Sequence, residues 1–311
     1  WDHIKNRGDH GADNWTLDWV GFLPGKRESR RYVGEVIVNQ NDVVAGGRFS
    51  DSVAYAGWTM DNHFPEGFNF RPGCEDVTIQ HPVDNPWGIP WRSLYSKNIS
   101  NLLFAGRNIS VTHVALSSSR VMATCGIVGQ AVGTGVAMAV TEKTDIRCLD
   151  IAALQQELLY NDCYIPGIRR KISPVAEKAA VNCEIIRNGF DRGDENLWLG
   201  NKGDFIEYTF EKPELVKELR IVFDSSLNRC ERNMRCSYPL NMSDANPPKT
   251  LIRDYEISYE LENGETGQIS VENSHCRFAL HKIGKQIKSV RLTPKSTWGD
   301  KQFRIFGFEP V

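Results

Sequence analysis

The sequence has 311 residues, of which 41% are apolar and 24% charged, and its formal net charge is −2. This composition is typical of a globular protein and excludes a disordered tail, a collagen-like fibre and a coiled coil. The length accommodates two domains, and the near-zero net charge argues against nucleic acid as a partner. Because Trp1 begins the sequence and no signal-peptide pattern follows it, we expect a part of a longer protein and leave its compartment open.

The eight cysteines are too few for a disulfide scaffold, and the absence of a Cys-x-x-Cys pair argues against a zinc ribbon or a thioredoxin-type site. Cys230 and Cys236 could form a disulfide within one loop or remain free thiols. The seven histidines include no His-Glu-x-x-His motif, and no Ser-His-Asp arrangement stands out. We therefore predict neither a metal site nor a hydrolase triad.

In chain order, the first region mixes strand and helix patterns. Apolar segments and the turn residues between them predict strands over residues 32–38 and 101–105 and a helix over about 119–140. Gly106 directly follows the second of these strands. The sequence thus predicts a strand, a tight turn and a helix in succession.

The uncharged run 121–140 is long enough to cross a membrane, and Gly129 and Gly133 form a Gly-x-x-x-Gly pair within it. Its four glycines and its polar residues give it modest hydrophobicity, and it lacks an aromatic belt. A helix packed on a sheet needs the same small residues for close approach. We prefer that interpretation and predict no membrane span.

The pattern changes near residue 145. Asp150 is a favourable N-cap for a helix over 151–160, and residues 166–171 combine a Pro-Gly pair with a basic run that indicates a linker. After the linker, short strand-type segments alternate with turn signals, which predicts an antiparallel β-sandwich. Its predicted strands are 204–210, 216–223, 254–261, 268–272, 287–293 and 303–308, with a hairpin turn at 262–265.

The segment 101–135 reads NLLFAGRNISVTHVALSSSRVMATCGIVGQAVGTG and places a polar loop before a glycine-spaced helix. A helix N-terminus carries unpaired N–H groups and a partial positive charge, which stabilise an electron-rich oxygen. The segment resembles the C-terminal flavin-binding stretch of the FAD-dependent oxidoreductase family of the two-dinucleotide-binding-domain type, some of whose members are labelled xanthan lyases. Three more segments resemble the family in order and spacing, namely 19–31, 57–67 and 89–96.

The resemblance implies that Gly106 and Arg107 line the FAD. It also implies that Ser119, Arg120 and Val121 lie at the helix end near the flavin O2. The helix dipole and the guanidinium of Arg120 would stabilise the negative charge that reduction places on flavin N1 and O2.

The chain departs from the family in one respect, because it contains no Gly-x-Gly-x-x-Gly turn for the ADP moiety. We therefore expect residues 1–145 to be the C-terminal, α+β or α/β part of an FAD-binding two-domain fold. This part would depend on a dinucleotide-binding half outside the sequence and would be inactive alone. FAD is the expected cofactor of the whole protein, and a small or carbohydrate-derived molecule is the expected substrate.

Three residues are candidates for catalysis. His63, in a turn-rich segment, either donates a proton or binds a carboxylate over the flavin, or else caps a turn. Arg92 either clamps an anionic substrate or forms a structural ion pair. His113 precedes the flavin-side helix and could face the ring. A charge cluster either organises the site or is a solvated face, and it consists of Lys26, Arg27, Glu28, Arg30 and Arg31.

Residues 146–174 form the predicted helical bridge and linker, and residues 175–311 form the predicted sandwich domain. The latter resemble, more loosely, a galactose-binding-like jelly-roll sandwich at 203–210, at 219–224 and in the final segments 290–294 and 303–309. This resemblance implies sugar stacking on Trp198 or Trp298. Arg192 and Asn228 would be the polar partners. Alternatively, both tryptophans belong to the core and the domain only packs against the first region.

The sequence thus favours part of a flavin-dependent oxidoreductase that carries a sandwich domain. The alternative is a carbohydrate-binding module attached to a catalytically inert remnant. A third interpretation is a structural interaction protein.

Overall fold

A computed structural model describes four stretches of the chain, which are residues 1–23, 30–64, 78–227 and 247–311. Six residues that were interpreted from the sequence lie outside these stretches, namely Lys26, Arg27, Glu28, Asn228, Cys230 and Cys236.

Helices and strands are distributed unequally along the described residues. The helices are α1 (Asp2–Asn6), α2 (Gln40–Val44), α3 (His113–Ser119), α4 (Met122–Glu142), α5 (Ile151–Tyr160) and α6 (Pro174–Lys178). The strands of the first region are β1 (Ser52–Ala56), β2 (Met60–His63), β3 (Thr78–His81) and β4 (Trp87–Pro90). Those of the second are β5 (Ala180–Val181), β6 (Trp198–Gly200), β7 (Ile206–Phe223), β8 (Ile252–Leu261), β9 (Thr266–Val271), β10 (Phe278–Thr297) and β11 (Phe303–Pro310).

The first region packs α4 and α5 on the antiparallel pair β1–β4, and a second pair, β2–β3, contacts α3. Its core contains Trp87 and Trp91, both almost completely buried. Gly135 of α4 allows the helix to approach this core, since a Cβ there would lie 2.5 Å from Cη2 of Trp91. The close approach that we predicted for a sheet-packed helix is therefore present at Gly135.

The prediction of strands over residues 32–38 and 101–105 is wrong. Each contributes only one isolated bridge, between Val38 and Val111 and between Tyr95 and Leu103. Their backbones bond to irregular neighbouring segments; the Phe104 N–H, for example, donates to the Leu94 carbonyl oxygen at 2.7 Å. Without a regular partner strand, no ladder forms.

The predicted helix 119–140 is two helices. α3 ends at Ser119, and α4 begins at Met122 after Val121, whose backbone is extended with φ −71° and ψ 148°. The break lies beside Arg120, whose guanidinium donates to the Asp61 carbonyl oxygen at 2.9 Å. The break therefore coincides with a side chain that holds α3 to β2.

The prediction of a helix over 151–160 is confirmed as α5, and Asp150 Oδ1 accepts from the Ala153 N–H at 3.1 Å. The predicted β8–β9 hairpin is also present, with Tyr255 opposite Val271. Predicted strands 204–210 and 216–223 are instead one continuous strand, β7. The second region also begins with a short helix, α6.

The second region is an antiparallel sheet in the order β6-β11-β7-β10-β8-β9, with β5 added on β7. Register breaks in β10 at 282–285 and 287–289 interrupt its pairing with β7, and such bulges bend strands. Ile206 and Tyr208 from one end of β7 and Ile221 and Phe223 from the other end belong to one core. Since both ends of the strand face a single core, the sheet closes on itself as the predicted β-sandwich.

Arg220 of β7 joins the two regions. Its guanidinium is completely buried and donates to the carbonyl oxygens of Leu159 and Tyr160 at 3.0 and 2.7 Å. It also forms a 2.7 Å ion pair with Asp191. Burial opposes ionisation of Asp191, but Arg220 and neighbouring arginines outweigh it and hold its pKa below the ordinary carboxyl value.

Replacing Gly135 with Ala is expected to destabilise the protein by about 1–3 kcal/mol, because the added methyl group overlaps the rigid ring of Trp91. Gly133, two residues earlier in α4, has open space around a Cβ, so Gly133→Ala should stabilise the helix by up to about 1 kcal/mol. Urea unfolding measures both. Equal effects of the two substitutions would contradict this packing of α4.

Asp191→Asn is expected to cost about 3–5 kcal/mol in the free energy of unfolding at neutral pH, because it leaves the buried Arg220 charge without its partner. The lowered native pKa of Asp191 stabilises the fold above about pH 3.9, and this stabilisation disappears as the pH falls through the native pKa. The variant should lack that part of the acid dependence. Glu262→Gln, in the exposed hairpin turn, is the matched control and should change stability by less than about 0.5 kcal/mol.

Candidate active site

His63 lies at the end of β2 between two hydrogen-bonding side chains. Its Nε2 is 3.0 Å from Asp61 Oδ2, and its Nδ1 is 3.1 Å from Thr78 Oγ1. Asp61 lies two residues before it on the same strand, and Thr78 is its register partner on β3. Side chains two apart on a strand share a face, so β2 itself brings the carboxylate to the imidazole.

The hydrogen bonds of His63 suit two charge states. When His63 is neutral, Nε2–H donates to the carboxylate of Asp61 and Nδ1 accepts from the Thr78 hydroxyl. When it is protonated, both ring nitrogens donate, and the Thr78 hydroxyl turns to accept. A proton can therefore be taken up or released without movement of the ring.

Arg120 connects this histidine to the helical layer. Its Nη2 donates to both the backbone carbonyl oxygen and Oδ2 of Asp61, at 2.9 and 3.2 Å. Asp61 Oδ2 thus contacts His63 and Arg120 at once. Ser118 holds α3 in place, because it donates to the Trp58 carbonyl oxygen at 2.6 Å and accepts from Trp87 Nε1 at 3.0 Å.

His113 is the first residue of α3 and contacts the same cluster. Its Nε2 lies 3.1 Å from the backbone carbonyl oxygen of His63. A carbonyl only accepts, so Nε2 of His113 carries a hydrogen. Three predicted site residues, His63, His113 and Arg120, are therefore brought together by β2 and α3.

The predicted cofactor-binding residues lie on the loop before α3 and around the break between α3 and α4. Gly106 has φ +102°, and Arg107 is exposed. Val121 is the N-cap of α4 without a side-chain cap, and the next residue, Met122, is 90% exposed. Ser119 is buried, and its hydroxyl is 3.4 Å from carbonyl oxygens of its own helix, so that it turns away from this surface.

These residues fit a flavin in three respects. The N–H groups of the first turn of α4 have no side-chain acceptor, so they can stabilise an electron-rich oxygen. Asn108 Oδ1 is buried and has no hydrogen-bond partner within the described stretches. Gly106, two residues earlier, has open space where a Cβ would be, because only Asn108 Oδ1 lies within 4.0 Å of it.

Arg92 is held by Asp51, with Nε–Oδ2 and Nη2–Oδ1 distances of 2.9 and 3.0 Å. This hydrogen bonding raises the pKa of Arg92, although the Arg92 side chain is 46% exposed. The geometry is that of a structural ion pair, the second of the two interpretations of this residue. Its role as a substrate clamp stays a prediction.

Both candidate tryptophans of the sandwich contact its core. Trp298 donates from Nε1 to the Ser274 carbonyl oxygen at 2.7 Å, and its ring contacts that of His275 at a tilt of 43°, with the centroids 4.6 Å apart. Trp198 lies over Gly200, where a Cβ would be 2.1 Å from its ring. These contacts are those expected of core tryptophans, and stacking on a sugar stays a prediction.

Sequence reasoning missed Asp61 and Thr78 as site residues. The Asp-x-His spacing in a strand was a usable signal for Asp61. Thr78 lies 15 residues from His63, and only the pairing of β2 with β3 brings the two together.

Among the described residues, α4 is the one helix long and apolar enough to cross a membrane. Core helices of soluble proteins often satisfy the same criterion, so this is weak evidence for a span. α4 contacts β1 and α5.

The sequence model of the family described as FAD dependent oxidoreductase matches residues 1–158. The chain therefore belongs to the FAD-dependent oxidoreductase family, which confirms the resemblance noted in the sequence. A comparison with curated proteins finds no match.

Solved structures similar to this chain include carbohydrate-binding modules. The family 32 module of Streptococcus pneumoniae EndoD is 15% identical, with a TM-score of 0.32, covering 43% of this chain and 94% of that module. A fucose-binding module of Streptococcus pneumoniae is 11% identical, with a TM-score of 0.32 and coverages of 45% and 98%. A module of a Clostridium perfringens family 31 glycoside hydrolase is 10% identical, with a TM-score of 0.31 and coverages of 46% and 98%.

Proposed function

We propose that this chain supplies the flavin-facing part of an FAD-dependent oxidoreductase and that His63, Asp61, Arg120 and His113 form its catalytic cluster. The observation that carries the proposal is the position of this cluster. Arg120, one of its members, immediately precedes the uncapped N-terminus of α4. When bound, FAD supplies hydride or electron transfer, whereas the residues of the chain bind substrate and move protons.

In this proposal His63 is the general acid or base. Asp61 orients its ring, and Thr78 accommodates both of its charge states by rotation of a hydroxyl group. The N-terminus of α4 stabilises negative charge on the pyrimidine side of the flavin. The proposed substrate is a small, carbohydrate-derived molecule.

We expect the 311-residue chain to bind FAD weakly and to be inactive by itself. Its sequence contains no Gly-x-Gly-x-x-Gly turn, so it lacks the backbone donors that this motif supplies to the pyrophosphate. Gly106, Arg107 and the start of α4 would hold only the flavin end. The domain division at residues 145 and 174 is part of the same proposal.

Charge substitutions at Met122 test the flavin site. Met122→Asp should raise the stability of α4 by about 0.3–1 kcal/mol through the helix dipole. The same carboxylate repels a flavin at that end, so the affinity for FAD should fall, and Met122→Lys should have both opposite effects. Urea unfolding without FAD and fluorescence titration with FAD measure the two quantities.

The matched control is the same pair of substitutions at Val140, which is 73% exposed at the other end of α4. There, Lys should be the stabilising residue and the affinity for FAD should not change. An affinity for FAD that does not depend on the charge at Met122, or no change in FAD fluorescence at any chain concentration, would contradict the proposal for this chain.

A second candidate function, carbohydrate binding, is favoured by a cavity of about 580 Å³ where the two regions meet. Tyr164 and Phe190 offer aromatic surfaces in its lining, and Arg192 and Asn196 offer hydrogen-bonding groups. Arg192 Nη1 is buried and makes no hydrogen bond within the described residues, although Asp162 lies 3.7 Å away. A ligand hydroxyl would satisfy this N–H.

Glycan binding to the chain is expected to decrease on Arg192→Ala and Tyr164→Ala if this cavity is the site. A decrease on Trp198→Ala or Trp298→Ala would instead support stacking on the tryptophans of the sandwich. A glycan array followed by titration calorimetry distinguishes the two. Unchanged binding in all four variants, or no glycan binding at all, would exclude both sites.

A further inference from the structure

The first fifteen residues form a small folded unit. Residues 7–15 turn back over α1, and both Gly8 and Gly11 have positive φ, +76° and +59°, in this turn. Lys5 Nζ fixes the returning chain by donating 2.9 Å hydrogen bonds to three carbonyl oxygens, those of Ala12, Asp13 and Trp15. Side chains of α1 are thereby held opposite side chains of the loop.

This turn places His3 of α1 beside Asp9 and His10 of the loop. The Asp9 carboxylate lies between the two imidazoles, with Oδ1 3.3 Å from His10 Nε2 and Oδ2 3.9 Å from His3 Nε2. The two ring centroids are 5.0 Å apart. One ligand atom from each residue lies within 4.8 Å of the other two, and the residues are exposed.

The spacing of these atoms is close to that of a metal coordination sphere. With ligand distances of about 2.0–2.1 Å, two ligands of a tetrahedral zinc ion are separated by roughly 3.3 Å. The distance of 3.3 Å from Asp9 Oδ1 to His10 Nε2 matches this value. His3 Nε2 lies 3.9 Å from the other carboxylate oxygen, Oδ2, and the three ligand atoms are within 4.8 Å of one another, so rotation of these exposed side chains brings them onto one ion. None of the three side chains forms a hydrogen bond within the described stretches, so none has to be broken.

We propose that His3, Asp9 and His10 bind a divalent transition-metal cation, with zinc as the best match. Two imidazole nitrogens and one carboxylate oxygen form a donor set that zinc accepts and that calcium and magnesium, which prefer oxygen ligands, do not. Water completes the coordination, since the site is exposed. The metal fastens α1 to the loop that follows it.

Titration calorimetry of the 311-residue chain with zinc chloride tests the site. We expect one zinc ion per chain and an affinity at least about tenfold lower in His3→Ala, His10→Ala and Asp9→Asn, since even the loss of an outer-shell partner has an effect of this size. His81→Ala removes an exposed histidine of β3 and is the matched control, with no expected change. The exposure of the three ligands should leave the far-ultraviolet circular dichroism of each variant unchanged.

Cobalt(II) provides a second readout, because a tetrahedral site gives visible absorption bands that an octahedral aqua ion lacks. These bands should appear with the wild-type chain and disappear in the His3→Ala/His10→Ala double variant. The proposal is overturned if the double variant binds zinc as tightly as the wild type, or if the wild type binds none. Failure of the flavin proposal would leave this result unaffected, because neither readout involves FAD.

Discussion

A completely buried guanidinium, that of Arg220, determines how the two regions of this protein are joined. A buried charge is costly unless every donor finds an acceptor. Arg220 makes four hydrogen bonds, two to the carboxylate of Asp191 and one to each carbonyl oxygen of Leu159 and Tyr160 at the end of α5. The last carbonyls of a helix lack intrahelical donors and carry partial negative charge, so they are suitable acceptors for an arginine. The same contacts therefore satisfy the helix end and the buried charge.

The consequences of this contact extend into both cores. α5 belongs to the first core through Leu154 and Leu158, whereas Arg220 lies on β7, the central strand of the sandwich. Arg170, in the linker, adds a second buried pair with Glu309 of β11 at 2.6 Å. Buried charged contacts thus cross the junction in two places, from Arg220 to the end of α5 and from Arg170 to β11, and they help to hold the two regions in one orientation. The cavity that Arg192 lines is one result of that orientation.

The same kind of constraint positions the candidate active site. Gly135 lets α4 lie against Trp91, which fixes the axis of the helix and hence the position of its N-terminus. Arg120 then reaches back from the α3–α4 break to Asp61, and Asp61 orients His63. A chain of close contacts thus connects the buried core to the exposed helix end where a flavin would bind.

The sequence by itself determined the family, the helix α5 with its Asp150 cap, the β8–β9 hairpin and the antiparallel sandwich. The family was identified by the resemblance of several segments. Local patterns predicted the other features, because capping, hairpin turns and alternating burial depend on residues close together in the chain. The sequence also singled out His63, His113 and Arg120 by their place in segments that resemble the family. It did not indicate that Asp61 would join two of them.

Only the tertiary structure decided where partners distant in sequence meet. Residues 32–38 and 101–105 have strand-type sequences, yet they form no ladder because irregular segments, and not strands, lie beside them. Thr78 acquires its role from its register with His63. His3, Asp9 and His10 are close in sequence, but their spacing matches no metal motif, and the turn of the chain at Gly8 places them side by side. In each case the deciding contact depends on which backbones pack side by side, and no local pattern encodes that.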